Sequence, residues 1–301
     1  CAFSPPPEET AVSEPAVLLV VLAHPDDESF GMGGTLAHYA RRGAQVHLVC
    51  ATRGEVGMMD EAHMKGFTSI ADRRESELRC AAGILGLSGV HFLNYRDSGM
   101  SGSPDNFHPH ALAAAPLDEV AAAVTGYIRK LRPQVVLTFD PIGGYRHPDH
   151  IAIHQATVRA FFAAADAAAF PGDLPPHSPD RLYFHTIPNT FLRLAVRLMP
   201  LFGRDPRRFG QNQDIDLVSI AQVQFPTHAV IGYREVAEQR AQAAACHESQ
   251  GGKQMSSGLL PRLQRWFQAK ETFMQAYPEP TADARQTDLF AGLPVTFSNP
   301  D

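Results

Sequence analysis

Two short segments carry the residues most able to do chemistry. The first, residues 23–28, reads AHPDDE and holds one imidazole and three carboxylates within five positions. Carboxylates this close repel one another unless a cation neutralises them, and a divalent metal is the simplest counter-ion. Histidine with aspartate suits zinc, and a catalytic zinc needs about three protein ligands and an open position for water. This segment supplies only two or three of them, so another ligand must come from elsewhere.

The second segment, residues 143–150, reads GGYRHPDH and repeats the His-Pro-Asp element. It offers the missing imidazole. Either motif alone is also compatible with a helix-capping aspartate and a surface histidine, because Asp is a common helix N-cap. Two such motifs at neighbouring strand ends favour a shared site.

The surrounding pattern predicts the elements that would bring the two segments together. Apolar runs typical of buried parallel strands occur at 17–22, 45–51, 90–95 and 134–140. Apolar residues at helical spacing occur at 70–85, 117–131 and 151–169. The alternation predicts an α/β fold, a Rossmann-like and mostly parallel sheet with helices on both faces. Ligands bind such sheets beyond the carboxyl ends of the strands, where both segments fall.

A single domain is expected over residues 16–301, after a Pro-rich and acidic leader at 1–15 that we predict to be disordered. Residues 16–170 would form the Rossmann-like core, and 171–301 a smaller C-terminal subdomain, or cap, that walls the site. In that subdomain the pattern indicates a strand at 181–187 and helices at 189–202, 233–249 and 263–276.

Charge and composition narrow the classes of partner. The formal net charge is -6 and the basic residues are scattered, which argues against a nucleic-acid partner. The longest apolar run, residues 16–23, is too short for a membrane span. Assembly into a homo-oligomer stays open.

The four cysteines, Cys1, Cys50, Cys80 and Cys246, lack paired spacing. We interpret them as free or buried thiols of a cytoplasmic protein. The alternative is a chain anchored by a lipid through Cys1, since residues 2–15 have the composition of a flexible tether.

The pair AHPDDE and HPDH, in this order, resembles the LmbE-like or PIG-L deacetylases, whose members carry both motifs. The chain is similar to that family also at residues 54–57, 247–250 and 288–293, so the resemblance covers nearly the whole chain after residue 15. It implies a zinc-dependent amidohydrolase that acts on linear amides.

The resemblance also implies a role for each residue of the first motif. One Zn²⁺ per chain, or Fe²⁺ or another divalent metal in its place, would be bound by His24, Asp27 and His150. Asp26 would not be a ligand. It would be the general base that takes a proton from the attacking water.

In the second motif, the resemblance implies that a protonated His147 faces the developing oxyanion and is held by the carboxylate of Asp149. Tyr145 would add a further hydrogen-bond donor, unless it is a solvent-facing loop residue. His247 would support the site from behind, although a histidine on a helix is usually structural.

Residues 95–100 resemble the branch of the family that deacetylates N-acetylglucosaminyl-inositol. The resemblance implies that Asp97 accepts sugar hydroxyls, that Met100 packs beside them and that Arg74 binds the substrate, with Glu55 as a candidate for the pocket wall. Asp97 could instead cap a turn, and Arg74 could pair with Glu77 along its helix.

We therefore expect a deacetylase of an N-acetylglucosamine-type amino-sugar, either N-acetylglucosaminyl-inositol or another conjugate. One alternative is an amidase of mycothiol S-conjugates, and another is a catalytically inactive sugar-binding protein on the same scaffold. The presence of Asp26 argues against the inactive protein. A nucleotide-binding Rossmann enzyme is disfavoured because no Gly-x-Gly-x-x-Gly follows the first strand.

Overall fold

A seven-stranded sheet organises the chain in a computed structural model that describes residues 14–187, 189–209, 213, 215–253, 269–280 and 285–298. The strands are β1 (Glu14–Pro15), β2 (Val17–Leu22), β3 (Gln45–Cys50), β4 (Gly89–Phe92), β5 (Val135–Phe139), β6 (Arg181–Thr186), β7 (Ala229–Gly232), β8 (Lys270–Tyr277) and β9 (Val295–Thr296). The helices are α1 (Asp27–Gly31), α2 (Gly33–Arg41), α3 (Ile70–Leu85), α4 (Leu117–Leu131), α5 (Gly143–Arg146, a kinked turn), α6 (Pro148–Ala163), α7 (Asn189–Leu198), α8 (Leu217–Ala221) and α9 (Ala237–Cys246).

The strand order in the main sheet is β4-β3-β2-β5-β6-β8-β7. The first five strands are parallel, and β8 runs antiparallel to both of its neighbours. The chain builds outward from β2 to β4, then crosses back to place β5 on the other side of β2. Such a reversal opens a crevice at the carboxyl ends of the two central strands, which is the usual ligand position in this architecture.

The core surrounds β2, whose six residues are all buried. Strand β2 consists of Val and Leu only, the composition expected where both faces of a parallel sheet are covered. Helices α2, α3 and α9 pack together as one group, and α4 packs on α6 as another. The α/β fold with a mostly parallel sheet, predicted from the sequence, is confirmed.

The expected helix at 263–276 is wrong over its described part, because residues 270–277 form β8. Residues Glu271, Phe273 and Gln275 are buried while their neighbours are more exposed. This alternation is the period of a strand with one covered face. Residues 263–268 lie outside the described residues.

The two ends of the proposed domain also differ from expectation. Within the predicted leader, residues 14–15 form β1, which pairs in parallel with β9, and residues 1–13 lie outside the described residues. Beyond residue 170, β6, β7 and β8 continue the same sheet as the core. The division at residue 170 therefore does not separate two sheets. No helix in the described ranges is long and apolar enough to cross a membrane.

A disulfide joins Cys80 on α3 to Cys246 at the end of α9, with their Cα atoms 6.0 Å apart. The expectation of free thiols is therefore wrong for this pair. Spacing did not reveal the bond because 166 residues separate the two positions and packing of α3 on α9 brings them together. Cys50 is free and buried, whereas Cys1 lies outside the described residues.

Removal of this disulfide should destabilise the protein. A cross-link between distant positions restricts the unfolded chain, which typically contributes about 2–4 kcal/mol to the free energy of unfolding. We expect that loss for the double variant Cys80→Ser/Cys246→Ser in denaturant titrations. Dithiothreitol should lower the Tm of the parent and of a Cys50→Ala control, but not of the double variant. Alkylation of both Cys80 and Cys246 in native, unreduced protein would contradict the assignment.

Candidate active site

The crevice between β2 and β5 brings the two motifs together. Strand β2 leads directly into His24, and β5 leads into Asp140. The Asp140 carboxylate accepts hydrogen bonds from the backbone N–H groups of Ile142 and Gly144, at 3.0 and 2.9 Å, and so shapes the turn that carries the second motif. Because β2 and β5 pair in register, residues more than a hundred positions apart in the chain meet here.

Ligand-type atoms of three residues converge at the centre of the site. His24 Nδ1 lies 3.2 Å from His150 Nε2, and the Asp27 carboxylate lies 3.6 Å from the first atom and 3.3 Å from the second. The other nitrogen of each ring has a hydrogen-bond acceptor of its own. His24 Nε2 lies 3.0 Å from Asp149 Oδ2, and His150 Nδ1 lies 3.2 Å from the carbonyl oxygen of Gly143.

These outer contacts decide the tautomers. Each outer nitrogen must carry the proton, since a carboxylate and a carbonyl can only accept. In the neutral rings, His24 Nδ1 and His150 Nε2 then point lone pairs at one another and at the Asp27 carboxylate, with no proton between them. Such a convergence fits a bound cation, and an outer carboxylate or carbonyl on each imidazole is typical of metal-ligating histidines.

Two overlapping groups of ligand-type atoms include His24, and neither contains Asp27. One group of atoms within 4.8 Å of one another comes from His24, His147 and His150, and another comes from His24, Asp97, His147 and Asp149. The residues are buried. The chain therefore holds a His/Asp cluster able to bind a metal ion.

The charges around the cluster favour a cation at its centre. Burial alone would lower the pKa of His24, but Asp97, Asp149 and Asp27 raise it well above its ordinary value. Burial alone would raise the pKa of Asp27, but His150 and His24 hold it well below its ordinary value. The surrounding carboxylates therefore stabilise positive charge at His24, and the two imidazoles stabilise negative charge on Asp27.

Asp26 occupies a separate position at the edge of the cluster. Its φ of 120° is in the left-handed region, which non-glycine residues rarely adopt and which is often found at functional sites. Its carboxylate accepts from the Arg74 guanidinium at 3.1 Å, and its N–H donates to Glu28 Oε2 at 3.0 Å. Burial raises the pKa of Asp26 to about 6, although Arg74 opposes the shift. A carboxylate of this kind can exchange a proton near neutral pH.

Arg74 fixes this loop. Its guanidinium also donates to the backbone carbonyls of Pro25 and Gly54, at 2.7 and 3.2 Å. The alternative of a pair between Arg74 and Glu77 is wrong, because Arg73 forms that pair at 2.9 Å. A side chain at residue 54 would collide with the guanidinium, which accounts for glycine at that position.

Glu28, to which the sequence analysis assigned no role, joins the first motif to His247. Its Oε1 lies 2.7 Å from His247 Nε2, and both side chains are fully buried. Burial alone would lower the pKa of His247, but Glu28 raises it above its ordinary value, so the two form an ion pair. His247 thus contacts Glu28, whose other carboxylate oxygen accepts from the N–H of Asp26.

The expected contact between His147 and the carboxylate of Asp149 is absent from the structure. His147 Nδ1 instead accepts from the backbone N–H of Asp149 at 3.2 Å and caps α6. The Asp149 carboxylate faces His24 and accepts from the N–H of Ser98 at 2.9 Å and from its hydroxyl. Burial, together with the positive charge of His24 and His150, lowers the pKa of His147 to about 2. His147 is therefore neutral with its proton on Nε2, not the protonated imidazole that we expected.

A cavity of about 390 Å³ opens beside His24, Asp26 and His147. The predicted residues Arg74, Asp97, Met100 and Tyr145 line it, with further lining from Val56, Gly57, Met58, Gly99, Ser103, Ile215 and Gln250. Gln250 belongs to the segment 247–250 that the resemblance had indicated, whereas Ile215 comes from a part of the C-terminal half where no sequence pattern pointed to the site.

Asp97 both caps a turn and lines this cavity. One of its oxygens accepts from the N–H of Gly99 at 2.8 Å and lies 3.5 Å from His24 Nε2. Glu55, expected in the wall, accepts from the N–H of Asp97 at 3.0 Å and so holds Asp97 from behind. The turn-capping alternative and the pocket assignment are therefore compatible.

Comparison with known proteins agrees with this geometry. The family model described as PIG-L, GlcNAc-PI de-N-acetylase, matches residues 19–161. The deacetylase 2 of Catenulispora acidiphila named for 1D-myo-inositol 2-acetamido-2-deoxy-alpha-D-glucopyranoside is 34% identical over 304 residues, 93% of this chain and 98% of the relative. The deacetylase of the same substrate name from Geodermatophilus obscurus is 36% identical over 290 residues, 92% of this chain and 98% of the relative.

A solved structure shows the same fold in a protein of another name. The 4-carboxy-2-hydroxymuconate hydratase GalB of Pseudomonas putida superposes with a TM-score of 0.57 over 89% of this chain and 99% of its own, at 19% identity. That likeness shows the fold alone. The full-length relatives, the matched motifs and the His/Asp cluster together show that this chain belongs to the PIG-L, or LmbE-like, family.

Proposed function

We propose that this chain is a zinc-dependent hydrolase that removes the acetyl group from an N-acetylglucosamine-type amino-sugar, with N-acetylglucosaminyl-inositol as the first candidate. The observation that carries the proposal is the convergence of His24, Asp27 and His150 lone pairs beside the Asp26 carboxylate, at the wall of a polar cavity. The names of the full-length relatives support the choice of substrate.

His24, Asp27 and His150 would hold the metal, and Fe²⁺ or another divalent ion is the alternative to zinc. The donor set of two imidazoles and a carboxylate suits zinc. The chemistry that such an ion supplies when bound is to lower the pKa of a water molecule toward neutrality and to polarise the amide carbonyl.

Asp26 would be the general base. It takes a proton from the attacking water and passes it to the departing amine, which is the usual cycle of a carboxylate with a pKa near neutrality. Arg74 and Glu28 hold its side chain and backbone, so the carboxylate is oriented before substrate binds. Preorganisation of this kind avoids a reorganisation cost during the reaction.

His147 would stabilise the oxyanion. Since its Nδ1 accepts from the backbone N–H of Asp149, its Nε2–H can donate to a ligand, and the ring lines the cavity. Tyr145 packs edge-on to it with ring centroids 5.8 Å apart and would add a second donor. Asp149 would act as a positioning residue for His24, a role that differs from the one expected from the sequence.

Asp97 would select the sugar. A carboxylate that lines the cavity can accept hydrogen bonds from two vicinal hydroxyls, which rejects analogues that lack them. Met100 lines the same cavity and would pack beside the sugar ring.

Metal analysis tests the ligand assignment. We expect about one zinc ion per chain in reconstituted protein and in Asp26→Ala, because Asp26 is not a ligand. Asp27→Ala and His150→Ala should bind zinc at least about 100-fold more weakly, since even loss of an outer partner costs 10–100-fold. Asp118→Ala, at an exposed site, is the matched control. A parent protein that takes up no metal under any loading condition would refute the metal centre.

Turnover tests the role of Asp26. Asp26→Ala should lower kcat by about 10²–10⁴-fold with its zinc retained, which is the range that general-base catalysis contributes. The measurement is free amine released from the substrate, paired with metal content of the same sample. Loss of metal in this variant would mean that Asp26 is a ligand and that the division between base and ligand is wrong.

A panel of substrates distinguishes the proposed deacetylase from the two alternatives, an amidase of mycothiol S-conjugates and an inactive sugar-binding protein. Free amine should form from N-acetylglucosaminyl-inositol with a higher kcat/KM than from diacetylchitobiose, because only the first matches the relatives' substrate. Faster cleavage of a mycothiol S-conjugate would favour the amidase instead. Binding of these sugars without turnover by metal-loaded protein would favour an inactive sugar-binding protein.

A further inference from the structure

A second cavity, of about 490 Å³, meets the same cluster. The first cavity reaches the cluster at His24 and His147, whereas the second reaches it at Asp27 and His150. The two sets of lining residues share Asp26 and Tyr145. The proposed base therefore faces both cavities.

The second cavity differs from the first in chemistry. Its apolar lining consists of Phe30, Met32, Phe139, Ile187 and Tyr233. The rest of the wall includes Gly31, His185, Arg240 and Glu271, together with Lys270, which is exposed to solvent. The lining of the first cavity, by contrast, includes the charged side chains of Asp97 and Arg74.

The polar groups of this wall are largely engaged with protein. Glu271 accepts from the N–H groups of Gly34 and Thr35 at 3.0 and 2.7 Å and lies 3.6 Å from Arg240. Arg240 also donates to a backbone carbonyl of α1 at 2.8 Å. Burial, with the nearby Arg240, lowers the pKa of His185 to about 4, so this ring is neutral. The interior surface left for a ligand is mainly carbon.

We propose that the second cavity is an acyl chamber, which receives the acyl arm of the amide, and that this chain hydrolyses amino-sugar amides with acyl groups longer than acetyl. The inference rests on the proposed function. An amide placed beside Asp26 has two arms, and the polar cavity matches the sugar arm. A volume of about 490 Å³ lies within the roughly 300–1,000 Å³ of pockets that bury small organic ligands, and far exceeds an acetyl methyl.

The reaction needs no further reactant. The oxygen of water bonds to the acyl carbon, the carbon–nitrogen bond breaks, and the nitrogen leaves with a proton that Asp26 returns to it. The products are a free amino-sugar and a carboxylic acid whose alkyl chain lies in the acyl chamber.

An acyl series on one sugar tests the chamber. N-acetyl-, N-butanoyl- and N-hexanoyl-glucosaminyl-inositol are compared by release of free amine from zinc-loaded protein. In a pocket fitted to acetyl, each added methylene would lower kcat/KM by about 10-fold or more. With the acyl chamber, kcat/KM for the hexanoyl substrate should stay within about 10-fold of the value for the acetyl substrate. A larger drop overturns the proposal.

Gly31→Leu narrows the acyl chamber. A Cβ at residue 31 meets only His185, at an ordinary contact distance of 3.7 Å, so a longer side chain would extend into the chamber. We expect the hexanoyl-to-acetyl ratio of kcat/KM to fall by at least about 10-fold, because two or more methylenes of the hexanoyl chain would no longer be buried. Gly126→Leu on α4, where nothing lies within 4 Å of a Cβ, is the matched control and should keep the ratio. An unchanged ratio in Gly31→Leu, with the variant folded by circular dichroism, overturns the proposal.

Binding of the acid product separates this inference from the proposed function. Hexanoate should bind zinc-loaded protein more tightly than acetate by at least about 10-fold in calorimetry, because each buried methylene strengthens binding roughly fourfold. Gly31→Leu should abolish the preference. If the protein prefers hexanoate but cleaves no amide, the acyl chamber is retained and the proposed deacetylase is rejected. If the protein cleaves the acetyl amide but does not prefer hexanoate, the proposed deacetylase is retained and the acyl chamber is rejected.

Discussion

The arrangement of the whole site depends on two imidazole lone pairs and a carboxylate that face one another without a proton between them. While both rings are neutral, His24 and His150 cannot form an ordinary hydrogen bond with each other, because Asp149 and the Gly143 carbonyl hold the proton on the far side of each ring. A cation resolves this arrangement, and burial makes the need stronger since unpaired lone pairs cannot reach water.

Hydrogen bonds hold the groups around this centre in place. Ser98 fixes the Asp149 carboxylate, Glu28 fixes the backbone of Asp26, and Arg74 fixes its side chain. The bonds from Ser98 to Asp149 and from Arg74 to Asp26 join residues about fifty positions apart, so they form only in the folded chain. The Cys80–Cys246 bond ties α9, which leads into His247, to α3, which carries Arg74.

The fold by itself does not determine the reaction. A hydratase of Pseudomonas putida has a similar fold, and the relatives named as deacetylases match at higher identity over nearly their full length. Amide hydrolysis is favoured by the site itself, which combines the cluster, the adjacent Asp26 carboxylate and two cavities of different polarity that meet at Asp26. Function follows from side chains placed on a shared scaffold.

Local sequence was sufficient for what depends on near neighbours. The apolar period of β2 and β5, the density of carboxylates in residues 23–28 and the two His-Pro-Asp elements are all local signals, and they predicted the sheet, the crevice and the residues brought to it. Tertiary structure decided what depends on distant partners. The strand at 270–277, the disulfide, the contact of Asp149 with His24 rather than His147, and the lining by Ile215 all join residues far apart in the chain. Hydrogen-bond partners, and hence tautomers, exist only after long-range packing has chosen them.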